Sequence, residues 1–217
     1  MKAVIFIWSL FVVYLTMVFT ESTAEASWMK PILIPSLFLL MLGGRKILKH
    51  QRLVGALVLS TMGDILLIFD GRPFFILGLL SFLLAHLLYI FIFKSKVGAL
   101  KRDAFSVICT LFILAYYVSF MYCLWPHLGA MRIPVLAYAF VISGMLWMAL
   151  QLLRSTSSFR WHIVLGALFF VVSDSLLSIQ LFYSSFELAH FYVMLTYLLA
   201  QFLLVYGILN FRHERPE

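Results

Sequence analysis

Along this chain apolar residues run on rather than alternate, and polar residues collect in short breaks between the runs. Eight apolar runs stand out, at roughly 2–20, 29–44, 53–69, 74–93, 104–124, 133–153, 162–183 and 189–210. A membrane span needs about 20 such residues. Lipid offers no partner to a free backbone amide, so continuous runs of this kind predict helices, whereas a barrel strand would alternate. The expected fold is all-α, a polytopic membrane protein of about eight transmembrane helices. Nearly all of residues 1–217 is used by the spans, which leaves a single transmembrane domain and no room for a soluble one.

Composition agrees: 64% of residues are hydrophobic and 12% charged, with mean hydropathy +1.06. The net charge of +7 follows topology and does not signal nucleic acid. Thirteen of the sixteen cations fall in alternate breaks, beginning with Lys2 and including Arg45, Lys46, Arg212 and Arg215. Lys30, Arg72 and Arg132 fall in the others. The positive-inside rule then puts both termini in the cytoplasm. Trp28, Trp125 and Trp161 mark span ends, as an aromatic belt requires. The compact loops point to a bacterial inner membrane. Lys2, the first run and Ala24-Glu25-Ala26 imitate a cleavable signal peptide, but the run is long for one and is read as an uncleaved helix. Cys109 and Cys123 share one predicted helix about 21 Å apart, too far to bridge, and read as filler.

Two of the nine acidic residues lie deep inside apolar runs. Asp64 follows the run 53–62 and Asp174 follows 163–172. A carboxylate at mid-span costs about 3 kcal/mol on insertion scales, so function is its default explanation, with a helix-bridging hydrogen bond as the bland one. The segments around them match. Gly55-Ala56-Leu57 precedes Asp64 as Gly166-Ala167-Leu168 precedes Asp174. Met29-Lys30-Pro31 resembles Met131-Arg132-Ile133-Pro134, and the stretch ending at His86 resembles that ending at His190. This order suggests a 4+4 tandem duplication, repeats 1–100 and 101–217, around a central polar site. Both aspartates lie roughly 18–21 Å from the inner ends of their helices, so they can face each other in one layer, and prolines in the second and sixth spans point to a midplane site. His86, Tyr138, Tyr197, Gln201 and His190 could share that layer, each with a packing role as its alternative. Lys30 and Arg132 sit at outer helix ends, where headgroup anchoring is the simpler reading. No nucleotide-binding or hydrolase motif is present. A metal site from Asp64, Asp174, His86 and His190 is allowed but not demanded by spacing, and no cofactor is expected.

Lys30-Pro31, Gly63-Asp64, the run 82–86 with Tyr89, Pro134 to Tyr138, Ser173-Asp174-Ser175 and Tyr197 to Gln201 together resemble the YhhN family of membrane proteins, over about 30–207. That resemblance implies an integral-membrane hydrolase that cleaves the vinyl ether of lysoplasmalogen, a lysophospholipid within the bilayer, to a fatty aldehyde and glycerophosphocholine or glycerophosphoethanolamine. Vinyl ether hydrolysis needs a proton donor for the β-carbon and a negative group beside the resulting oxocarbenium ion. Two facing carboxylates sharing one proton supply both, as in glycosidases. On this reading Asp64 and Asp174 are catalytic in an undecided order. His86, His190, Tyr138, Tyr197 and Gln201 orient them or the substrate, and Lys30 and Arg132 hold the phosphate. A proton-coupled carrier, a metal-dependent lipid hydrolase and a non-catalytic scaffold remain as alternatives.

Overall fold

A computed structural model describes residues 1–20, 26–42 and 46–211, and the described residues contain helices and no strand. The chain runs α1 (Lys2–Phe19), α2 (Lys30–Ser36, continued by a 3-10 turn Leu37–Met41), α3 (Gln51–Leu66), α4 (Arg72–Val97), α5 (Ala104–Leu124), α6 (Arg132–Gln151), α7 (Arg160–Ser178) and α8 (Ala189–Asn210). A helical turn, Lys46–Lys49, leads into α3. The Ala24-Glu25-Ala26 pattern lies largely outside the described residues, as do Arg45, Arg212, Arg215 and the side chain of Lys46.

Among the described residues the eight apolar runs become eight helices, of which six are long and apolar enough to cross a membrane. The exceptions are α2, which has seven residues before its 3-10 turn, and α3, which has sixteen. Pro35 lies inside α2, where a missing amide and a crowded ring oppose a longer α-helix. Gly71, at φ 116°, turns the chain between α3 and α4, and Pro73 opens α4. At 1.5 Å per residue α3 is about 24 Å long, short of a bilayer core of about 30 Å. Asp64 therefore sits within one turn of the end of α3 rather than mid-helix.

Apolar surface gains little by leaving lipid for another helix, so close contact has to hold such a bundle together. Gly166 and Gly207 provide it between α7 and α8. A methyl group on Gly166 would meet the Leu204 backbone nitrogen at 2.9 Å, and one on Gly207 would meet that of Ile163 at 3.1 Å. The pairs α7–α8 and α3–α4 are the tightest, with α4–α6, α2–α3 and α6–α7 closing the core. α1 lays Ile7, Phe11, Tyr14 and Val18 on that core at helical spacing. α5, like α1, is little embedded, and it packs mainly on α6. Its first turn is pinned: the Ser106 amide donates to Asp103 at 3.0 Å, Ser106 Oγ donates to Gln151 at 3.0 Å, and Arg154 pairs with Asp103. The Ser106 amide, helped by Arg154, holds the Asp103 carboxyl below its usual range.

Candidate functional site

A cavity of about 480 Å³ opens at one end of the bundle. Asp64 from α3 and Asp174 from α7 both line it, with Lys30 from α2, Tyr138 from α6 and His190 and Tyr197 from α8. The α3–α4 turn, including Asp70, Gly71 and Arg72, frames the mouth. The two carboxylates are close enough to act on each other electrostatically.

Asp64 is held by close packing. A side chain at the preceding Gly63 would meet the Phe82 ring at 2.5 Å, so only glycine lets α3 approach α4 so closely. Tyr197 donates from its hydroxyl to Asp64 Oδ2 at 2.8 Å. Gln201 Nε2 donates to the Tyr197 oxygen at 3.3 Å, and Tyr89 donates to Gln201 Oε1 at 2.9 Å. Tyr89 and Gln201 are fully buried, so this relay of three bonds is dry and polarised toward Asp64. The Lys30 charge acts on both Asp64 and His190. Tyr14 Oη lies 3.5 Å from His190 Nε2 and interacts with Asp64.

Asp174 sits among neutral groups. Tyr138 donates to its Oδ2 at 2.5 Å. The next residue, Ser175, shares a hydrogen bond of 2.5 Å with Tyr116 from α5. Behind Tyr138 lies His86, its ring edge-on to Tyr138 at 5.5 Å and to Phe170 at 4.5 Å between centroids. The His86 ring is fully buried, and neither nitrogen has a hydrogen-bond partner among the described residues. The Phe82 carbonyl is near it but outside hydrogen-bond geometry.

Of the residues read from the sequence, Asp64, Asp174, Lys30, Tyr138, Tyr197 and His190 meet at the cavity. His86 and Gln201 stand behind its tyrosines. Arg132 does not join them. It stacks on Trp125 at 5.1 Å and donates to the Trp125 carbonyl at 3.3 Å. Arg72 takes the cavity mouth instead. The sequence pattern does not single out Tyr14, Arg72 or Tyr116 as site residues. The clue for Tyr14 is its place in the buried stripe of α1. Among the described residues no three His, Cys, Asp or Glu side chains gather closely enough to hold a metal ion. The arrangement offers two carboxylates of different surroundings, Lys30 in the cavity with Arg72 at its mouth, and a buried polar relay behind Asp64. That set suits proton transfer to and from a substrate held between the acids.

The YhhN family profile matches residues 26–208. The lysoplasmalogenase TMEM86B of Rattus norvegicus is 35% identical over 159 residues, which cover 73% of this chain and 61% of that protein. The lysoplasmalogenase TMEM86A of Homo sapiens is 32% identical over 190 residues, covering 84% and 76%. A lysoplasmalogenase of Mycobacterium tuberculosis is 31% identical over 174 residues, covering 78% and 64%. The chain thus spans about three fifths of the TMEM86B relative it matches. No solved structure matches the chain.

Proposed function

Because the chain belongs to the YhhN family, we propose that it hydrolyses the vinyl ether bond of lysoplasmalogens within the membrane, through Asp64 and Asp174. One observation carries the reading: two intramembrane carboxylates, from α3 and α7, line a single cavity, and each accepts a tyrosine hydroxyl.

The surroundings support one division of roles. Asp64 has the Lys30 cation near it as a counter-charge. Asp174 has Tyr138, and beyond it Tyr116 and Ser175, none of them charged. Asp174 therefore carries the shared proton and gives it to the alkene carbon β to oxygen. The double-bond electrons form the new C–H bond and leave an oxocarbenium ion, which the Asp64 carboxylate stabilises. Water adds to the cationic carbon as Asp64 takes one of its protons. The hemiacetal then collapses. Its C–O bond to glycerol breaks, Asp64 returns a proton to the glycerol oxygen, and the hemiacetal hydroxyl gives its proton to Asp174. Both carboxyls end as they began, and the products are a fatty aldehyde and a glycerophospho-headgroup compound.

Lysoplasmenylcholine and lysoplasmenylethanolamine are the substrates on this account. The phosphate lies at the mouth against Arg72, with Lys30 deeper, a charge-assisted contact between cation and phosphate. Arg132, which faces Trp125, has no part in it. The cation pattern supports cytoplasmic termini and a mouth toward the opposite face. The matched tight pairs α3–α4 and α7–α8 support the 4+4 duplication.

Aldehyde release from the two lipids by purified protein tests the proposal. Release that survives EDTA and fails in Asp64→Asn and Asp174→Asn is expected. Lipid flux into liposomes without product would favour a carrier.

A further inference from the structure

The proposed substrate carries a long hydrocarbon chain, and the catalytic cavity has to let that chain out of the bundle. Three hollows adjoin through shared walls. The catalytic cavity and a constriction of about 30 Å³ share Val135, Tyr138, Asp174 and Ser178 as walls. The constriction shares Tyr116, Tyr117 and Phe120 with an open apolar groove along the outer half of α5. The constriction offers about 30 Å³ against about 480 Å³ in the catalytic cavity, so the passage narrows to a neck here.

What narrows it is light. Tyr116 bonds Ser175 at 2.5 Å, and Tyr117 donates to the Leu136 carbonyl at 3.4 Å. The Asp103–Arg154 network pins the other end of α5, while the outer half clusters with Val135, Leu136 and Ala139 of α6 and with Phe182. The π-helical turn Ile179–Tyr183 ends α7 beside this point. Ile179 and Tyr183 face the groove, and Gln180, Leu181 and Phe182 face the catalytic cavity. A π turn is rare, and it often marks a functional site. Any lipid-facing helix shows apolar side chains, but that alone gives no groove continuous with a carboxylate-lined cavity.

We infer that the groove on α5 is the subsite for the substrate's hydrocarbon chain, reached from Asp174 past Tyr138 through a gate formed by Tyr116, Tyr117 and Phe120. The chain leaves sideways between α5 and the π turn that ends α7 into the bilayer, while the headgroup stays at the mouth by Arg72. The occupant is a single unbranched alkenyl or alkyl chain attached to a phosphate-bearing headgroup. This rests on the lysoplasmalogen reading for the substrate, but its test does not need turnover.

The probe is a 1-O-hexadecyl lysophosphocholine with a diazirine at the chain terminus, an alkyl ether that vinyl ether hydrolysis leaves intact. The full chain in detergent is photolabelled with and without excess unlabelled lipid. Saturable label is expected on 116–126 and 179–184. Ala139→Trp, which fills the constriction, is expected to cut it at least about fivefold, the low end of what overpacking costs. Should that variant not fold, Phe120→Ala widens the gate and is expected to raise the same saturable label. Saturable label on other segments, no saturable label, or label unchanged by a folded variant overturns the inference. Label in the groove without aldehyde release from lysoplasmalogen would sink the hydrolase reading and leave the chain subsite standing. Aldehyde release with label elsewhere does the reverse.

Discussion

Asp64 and Asp174 occupy corresponding places in two similar stretches, yet their neighbourhoods differ in charge. Around Asp64 gather Lys30, His190, Tyr14 and a buried relay from Tyr89 through Gln201 to Tyr197. Around Asp174 the polar groups are neutral hydroxyls, and the histidine behind Tyr138 has no polar partner among the described residues. On the proposed reading two like carboxyls serve as an anion and an acid through their surroundings, the division of labour seen where paired acids must protonate and then stabilise. A duplicated half alone would supply two copies of one role. Each carboxyl accepts a tyrosine hydroxyl, so on the proposed reading the cation on α2 is what separates them.

The strongest way to break the comparison is to neutralise each acid in turn. Asp174→Asn and Asp64→Asn are each expected to lower kcat for vinyl ether hydrolysis about 10²–10⁴-fold, the usual range for a lost acid or base. They should differ in stability, because Asp64→Asn leaves Lys30 without its counter-charge. A thermal scan should find the lower Tm in that variant, and a lower Tm in Asp174→Asn would reverse the assignment. Tyr138→Phe and Tyr197→Phe come next. Each removes a hydrogen bond to a carboxyl, and a loss of about 10–100-fold in kcat/KM is expected if that carboxyl needs the bond in its charged state. Tyr197→Phe also strands Gln201 and should cost more stability.

Lys30→Met sharpens the contrast. In a double-mutant cycle on kcat it should couple to Asp64→Asn by about 0.5–3 kcal/mol and to Asp174→Asn by much less. Equal coupling to both would erase the distinction between the sites. The smallest effect is at the mouth. Arg72→Ala should raise KM several-fold with kcat little changed, and Arg132→Ala should leave both near wild type. The opposite order would return the phosphate to Arg132.

Much of this is legible in the amino-acid sequence. Continuous apolar runs mean helices, because nothing else satisfies the backbone in lipid. The two aspartates stand out as charges where charge is costly, and Tyr197 and Gln201 show a shared face by their spacing. Depth along a helix can be counted in residues, but direction around the bundle cannot. Lys30, Arg72 and Arg132 all read as outer-end cations, and packing alone turns Arg132 onto Trp125 and leaves Arg72 at the mouth. Tyr14 is hidden for the same reason, since its stripe predicts burial but not a neighbour. The shortness of α2 and α3 escapes the pattern because apolar residues continue past their ends. That shortness brings Asp64 to the end of its helix, beneath an open mouth rather than in a sealed midplane layer.

The most direct test is aldehyde release from lysoplasmenylcholine by the purified wild type, Asp64→Asn and Asp174→Asn proteins, all in EDTA and all shown to be folded. Release from the wild type alone is expected, with both variants at least about a hundredfold slower. No release from folded wild type, or full activity in either variant, would contradict the proposed hydrolysis through Asp64 and Asp174.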